Sequence, residues 1–218
     1  NAFLYLHIAS GTVGFIVAPI ALMVKKGSAS HKKWGKVFYY AMTLVAISAS
    51  VMAPWKGNIF LTCVAVFSYY LAFSGYRSVY RRKHTGDKPV FLDWMFLALN
   101  ELFSLALLLY GIFKMDREFA AIPIVFGLLG VFLGIRDLRT FLKPRSKNEW
   151  FYGHMVGMVA SYISALSAFS AVNLNFEWLP SWITWLWPTI IGTPLLRYYV
   201  RKYRSKSASS GSAPETLV

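Results

Sequence analysis

Six ionisable side chains lie where the surrounding sequence is apolar: His7, Asp93, Glu101, Arg136, Asp137 and His154. Such residues are rare inside a bilayer, usually face the interior of a helix bundle, and mark substrate or proton paths. Glu101, with Asn100 beside it, falls near the middle of its apolar run. A charge at that depth costs about 2.5–3.5 kcal/mol on insertion scales, so the carboxyl must be protonated, paired or beside a water-filled cavity. A carboxyl poised between those states is what proton coupling requires, and Glu101 ranks first among the candidates. Asp93, Leu97, Glu101 and Ser104 recur at helical spacing and share one face.

The other acids and bases form a second group. Asp93, Arg136, Asp137 and His154 each lie roughly 4–9 Å inside the end of a run, with His31 and His84 in the adjoining loops. Acid, base and imidazole at one depth can neutralise one another and offset the cost of burial. Two readings are open for this group. One is a proton-linked or ligand site facing the cytoplasm; the other is an interfacial network that reaches water and fixes helix ends. His7 lies near the opposite boundary, level with Tyr110 and Asn173, where a hydrogen-bonded histidine is the plainer reading. His154, Gly157, Ser161 and Ser164 form a small polar stripe, suited to packing or to lining a path.

The elements that must position these residues are membrane helices. Hydrophobic residues make up 56% of the 218-residue chain and charged residues only 15%, against about 25% charged in an ordinary soluble domain. With a mean hydropathy of +0.47, one soluble core of this size cannot hide the apolar surface. Seven runs approach the roughly 20 apolar residues that a span needs: Phe3–Val24, Val37–Pro54, Ile59–Tyr80, Val90–Phe113, Phe119–Leu142, Trp150–Val172 and Ser181–Val200. The first is read as a retained helix and not a signal peptide. The expected fold is therefore all-α, a polytopic seven-helix bundle over residues 1–204, with a Ser/Gly-rich disordered cytoplasmic tail over 205–218.

The net charge of +14 would point to nucleic acid in a soluble chain; here it reports topology. Twenty of the 23 basic residues fall on one side, in four groups including Arg77 and Arg81, Arg145 and Lys147, and Arg197 to Lys206. Lys56, Lys114 and Arg117 fall on the other. The positive-inside rule then places the N-terminus outside and the C-terminus in the cytoplasm. The basic loops are placed to attract anionic lipid. Two packing signals stand out: His7, Gly11, Gly14 and Ala18 on one stripe of the first run, and Gly130 with Gly134 in the fifth. An offset of 116 pairs Trp34 with Trp150 and Ile47-Ser48-Ala49 with Ile163-Ser164-Ala165, a faint trace of a parallel 3+1+3 repeat.

Several chemistries are excluded or demoted. No lysine lies within a run, so a retinal Schiff base is out, and P-loop and nucleophile-elbow motifs are absent. The lone Cys63 reads as a small core residue. His7 and His154 sit at opposite boundaries and cannot share an iron. His31 and His154 could do so if the loop folds in, and a zinc site of His31, His154 and an Asp has ligands without a diagnostic spacing. No cofactor, metal or catalytic residue is assigned.

His7-Ile-Ala-Ser-Gly11, Ala18-Pro19 and His31-Lys-Lys-Trp-Gly35-Lys36-Val-Phe-Tyr39, with His154-Met-Val-Gly-Met158 and Ser161-Tyr162-Ile163, resemble an uncharacterised bacterial "predicted membrane protein" family, a domain of unknown function. The resemblance covers the first, second and sixth runs. It implies a compact multi-span protein of the inner membrane and marks His7, His31 and His154 for testing, but it supplies no activity. A basic residue is expected where Gly157 stands, and the glycine departs from that pattern. The favoured functional expectation is a small-molecule or proton-linked transporter using Glu101. The alternatives are a membrane enzyme or metal or haem redox protein built on the cytoplasmic His/Asp cluster, and an accessory subunit.

Overall fold

The computed structural model describes residues 2–86, 88–143, 148–174 and 178–209. Arg145, Lys147 and the tail from 210 to 218 lie outside the described residues. Seven α-helices follow one another: α1 (Ala2–Met23), α2 (Ala29–Trp55), α3 (Ile59–His84), α4 (Phe91–Phe113), α5 (Arg117–Leu142), α6 (Glu149–Asn173) and α7 (Ser181–Ser209). Six of them, α1 to α6, are long and apolar enough to cross a membrane. The chain is thus a polytopic helical bundle of the kind that resides in a bilayer. α7 stands apart because three tryptophans, two prolines and Arg197 interrupt its apolar stretch.

Each helix covers its apolar run and extends past it where the sequence turns polar. α2 begins at Ala29, eight residues before the run, because Ser28 caps it by accepting the His31 backbone N–H at 3.2 Å. A side-chain oxygen at that position satisfies one of the donors a helix start leaves open. α7 likewise continues as helix to Ser209, into the segment expected to be a disordered tail. Tight turns join α1 to α2 and α2 to α3; Gly27 (φ 76°) and Gly57 (φ 64°) hold left-handed backbone there, which glycine adopts without a Cβ penalty.

α3 is the central helix. It packs on α2, α4 and α6, while α1 pairs with α2, α5 with α4, and α7 with α6. One apolar core joins Cys63, Phe67 and Leu71 of α3 to Leu107 of α4, Phe126 of α5 and Leu186 of α7. A second joins Val17 and Ala18 of α1, Phe38 and Met42 of α2 and Ala72 of α3, with Met158 and Tyr162 of α6 against it. The small-residue stripe of α1 does pack: Gly14 lies against Ala41 and Met42, and Gly11 against Val45. The tightest crossing is α3 on α6. A Cβ on Gly157 would stand 2.5 Å from the Gly75 backbone, so a basic side chain has no room at this position.

Candidate functional site

Asp93 is held by two arginines that the sequence reading assigned to the cytoplasmic loops. It is the third residue of α4, and its Oδ2 accepts the Val90 backbone N–H at 2.9 Å, closing the helix start. Arg77 and Arg81 are one turn apart on α3. Arg77 grips the carboxylate with both Nε (2.8 Å) and Nη2 (2.7 Å), and Arg81 donates Nη1 to Oδ1 at 2.7 Å. All three side chains are buried, Asp93 and Arg81 almost completely. The cluster carries two positive charges against one negative, and Arg81 Nε has no hydrogen-bond partner. Tyr80 under Arg77 (4.6 Å) and Phe141 under Arg81 (4.9 Å) supply ring faces for the excess charge.

Asp137 forms a second centre on α5. Arg136, its neighbour in sequence, donates Nη2 (2.7 Å) and Nε (3.1 Å) to Oδ1. Tyr70 donates its hydroxyl to Oδ2 at 2.9 Å, and Ser74 donates to the same oxygen. Tyr70, Ser74, Arg77 and Arg81 thus form one polar stripe on α3 that binds both aspartates. Asp137 is buried, whereas Arg136 is partly exposed. The expected acid–base pairing is present, but with partners from α3 and without any imidazole.

His154 donates from Nδ1 to the Gly75 carbonyl at 3.0 Å, and His31 donates from Nδ1 to the Ala21 carbonyl at 2.9 Å. A carbonyl only accepts, so both Nδ1 atoms carry the proton and both Nε2 atoms are left as bare lone pairs in the neutral rings. His31 lies in the first turn of α2 and not in a loop, and the two rings meet edge to face, centroids 6.1 Å apart. Among the described residues no group of three or more His, Cys, Asp or Glu is placed to hold a metal ion. His7 is separate from all of this. Its Nδ1 bonds Ser48 Oγ on α2 at 3.0 Å, tying the N-terminal part of α1 to the C-terminal part of α2, and Asn173 bonds its own helix instead.

Glu101 sits in the α4–α5 interface. The buried line of α4 runs Asp93, Leu97, Asn100, Ser104, Leu107, Gly111, so Asn100 is the fully buried residue and Glu101 flanks it. α5 meets this line with Gly127, Gly130 and Gly134. Asn100 Nδ2 donates to the Gly130 carbonyl at 3.0 Å, and the Ser104 hydroxyl occupies the space a Gly130 side chain would take. Glu101 Oε1 fills the same space at Gly134 and is buried without a hydrogen-bond partner. The Gly130/Gly134 pair therefore makes room for polar side chains, not for backbone contact alone. Asp137 lies three residues on from Gly134, about one turn along α5.

The principal cavity lies between α3, α5, α6 and α7, with a volume of about 500 Å³. Asp137 and Arg136 line it; Glu101 does not. One end is polar and basic, with Arg136 from α5 and Arg197, Arg201 and Arg204 from α7. Among the described residues two carboxylates stand against these, Asp137 and Glu149, the latter 3.7 Å from Arg204. The rest of the wall is mainly apolar, from Leu133 and Leu129 to Phe126, Phe67, Ala160 and Ile163, with the hydroxyl residues Ser164, Thr189 and Thr193 among them. The spacing of Arg197, Arg201 and Arg204 was visible in the sequence as an i, i+4, i+7 face, but it was counted only towards topology. The polar stripe of α6 faces α3 and packs: Ser164 Oγ meets Ser68 Oγ at 2.6 Å, and Gly157 meets Gly75. No protein-family model matches this chain, and neither does any curated protein or solved structure.

Proposed function

We propose that the chain is a membrane carrier for an organic anion, linked to protons, with its cargo in the cavity between α3, α5, α6 and α7. One observation carries the reading: a cavity of about 500 Å³ with four arginines at one end and mainly apolar walls elsewhere. That volume falls within the roughly 300–1,000 Å³ typical of small-molecule sites. The proton linkage rests on Asp137, which lines the cavity while bound to Arg136, and on the unpartnered Glu101 oxygen about one helical turn away. An anion that competes for Arg136 loosens its hold on Asp137, and a proton then compensates the freed carboxylate. In the same proposal α7 is a seventh span, the N-terminus is outside, the arginine end faces the cytoplasm of an inner membrane, and the chain belongs to the uncharacterised family it resembles.

The test is uptake of octyl phosphate into proteoliposomes carrying a trapped pH dye, with and without an imposed pH gradient. Gradient-driven uptake with matching proton movement is expected, and Glu101→Gln should uncouple the two while leaving binding intact. Uptake that ignores the gradient overturns the proton linkage; an absence of uptake overturns the carrier.

A second reading rests on the His31–His154 pair. A ring whose Nδ1–H is fixed by a carbonyl and whose Nε2 is open is the usual state of a metal-ligating histidine. Two such nitrogens at about 2.0 Å from one metal place their centroids roughly 5 Å apart in a tetrahedral site and roughly 6 Å apart only when they lie on opposite sides of the ion; the observed separation is 6.1 Å. Elemental analysis and a visible spectrum of protein purified without chelator test it. Stoichiometric metal or haem lost in His31→Ala supports this reading, and a metal-free, colourless sample refutes it.

A further inference from the structure

We infer that the ligand of the α3/α5/α6/α7 cavity is a long-chain amphipathic anion, with its head at the arginine end and its chain along the apolar walls, entering from the side between α5 and α7. The inference rests on the reading of that cavity as a ligand site and adds the class of ligand and its route.

The head is specified by charge that the protein leaves open. Arg136 is engaged by Asp137 and Arg204 faces Glu149. Arg197 and Arg201 have no acidic partner among the described residues, yet both line the same end of the cavity. A planar guanidinium matches a phosphate or carboxylate through two parallel hydrogen bonds, so the pair calls for an anion of one or two charges.

The chain is specified by length and surface. The α5 residues lining the cavity run from Phe126 to Thr140, which is about 21 Å of helix. The α7 lining residues run from Thr189 to Arg204, a similar length. A space of about 500 Å³ drawn out over that distance is a slot, and a compact anion such as inorganic phosphate would fill only its basic end. The far end is closed by Phe67, Phe126 and Ile163, which present no charge.

The route is specified by an open wall. Phe132 lines the cavity and is still 65% exposed, so the slot opens on the face of the bundle where a bilayer would lie. α5 and α7 touch far less than α5 touches α4 or α7 touches α6. α7 also carries Pro188 and Pro194, each of which lacks the N–H that would brace the preceding turn. A slot open sideways to lipid, with a basic end, suits a molecule that is itself part lipid and part anion.

The experiment is equilibrium binding of radiolabelled dodecyl phosphate to the full chain in a non-ionic detergent. Saturable binding at one site per chain is expected. Arg197→Gln with Arg201→Gln should weaken it at least tenfold; both side chains are exposed, so folding is not at risk. Dodecanol and inorganic phosphate should compete at least a hundredfold less well than unlabelled dodecyl phosphate. Ala160→Trp, which fills the slot, should exclude the dodecyl chain and still admit hexyl phosphate. Binding unchanged in the double variant, or phosphate competing as well as the amphiphile, overturns the inference. Extraction of the purified protein distinguishes the sources. A co-purified single-chain anionic lipid marks the bilayer as the source; an empty site that takes up added amphiphile marks the aqueous phase. Both fit the shared chemistry, and a co-purified molecule that is neutral or lacks a chain refutes it. The two readings fail separately: dodecyl phosphate bound without gradient-driven uptake overturns the carrier alone, and uptake of a chainless anion without amphiphile binding overturns the ligand class alone.

Discussion

Replacing Asp93 by Asn should destabilise the bundle more than replacing either arginine that binds it, and the charge count explains why. Asp93 accepts four hydrogen bonds, three from buried guanidinium groups and one from the start of α4. The isosteric amide removes the only negative charge that faces two buried positive ones among the described residues. Breaking a buried pair in this way costs about 3–5 kcal/mol, because it leaves the opposite charge without compensation. No discount for solvent applies, since the Asp93 and Arg81 side chains are 0% and 1% exposed. By the usual scaling for a chain of this length, the melting midpoint should fall by roughly 10 °C. Arg81→Met is different. It leaves a neutral pair, with Arg77 still bidentate on Asp93, and it removes the Nε that has no partner; the expected change is within about 2 kcal/mol of zero. The double variant should recover part of the Asp93→Asn loss, giving a measurable coupling. Thermal unfolding in detergent, followed by far-UV circular dichroism, reads all four proteins. An Asp93→Asn protein melting within two degrees of the parent, or an Arg81→Met protein equally damaged, would falsify the reasoning.

Tyr70→Phe should cost about 1–3 kcal/mol, because a buried carboxylate loses one donor, and the same melt measures it. Gly157→Ala should cost about 1–3 kcal/mol through overpacking against the Gly75 backbone; an unchanged melting midpoint would show that α3 and α6 are not so closely apposed. Gly134→Ala should displace the Glu101 carboxyl and lower stability, and adding Glu101→Ala should restore much of the loss; failure of that rescue would separate the two residues. For orientation, in a Cys63→Ser background, Lys56→Cys should react with an impermeant thiol reagent from outside intact cells, and Lys83→Cys only after the membrane is opened. The reverse pattern would invert the proposed topology.

The helices were legible in the sequence because apolar length is a local property. All seven runs became helices, and departures came at polar ends such as Ala29–Lys36 and beyond Val200, where hydropathy falls but helix formation continues. The partners of the charged residues were less legible, because they depend on how each helix is rotated. The spacing put Glu101 on one face with Asp93, Leu97 and Ser104; the buried line observed passes through Asn100, one position away. Arg77 and Arg81 were counted as loop cations because a topology rule weighs charge without asking where a long side chain reaches. Their register with Tyr70 and Ser74 was the signal that they face inward. The cavity itself was not legible, since four helices build it; its one sequence trace was the i, i+4, i+7 spacing of Arg197, Arg201 and Arg204 on α7. The faint repeat gains no support from the contacts: α1 packs on α2, while their counterparts are α5, whose main neighbour is α4, and α6, which packs on α3 and α7.

The excess of positive charge divides by residue type in a way that net charge conceals. Every basic side chain that is buried, or that lines the cavity, is an arginine: Arg77 and Arg81 against Asp93, Arg136 against Asp137, and Arg197, Arg201 and Arg204 around the basic end. No lysine is found in either setting among the described residues. The division follows from the two head groups. A guanidinium is weakly hydrated, stays charged when desolvated, and meets a carboxylate or phosphate through a fixed fork, whereas an ammonium holds its water tightly and suits the aqueous boundary. Lys26 illustrates the second case, donating back to the Leu22 carbonyl at the end of α1. Counting lysine and arginine together therefore serves a topology rule and hides the basic end of the cavity. Replacing Arg197 and Arg201 by lysine preserves the charge and the positive-inside signal while removing the fork. If those arginines only orient the chain, the double lysine variant will bind dodecyl phosphate as the parent does; if they hold an anion, affinity will fall although the net charge is unchanged.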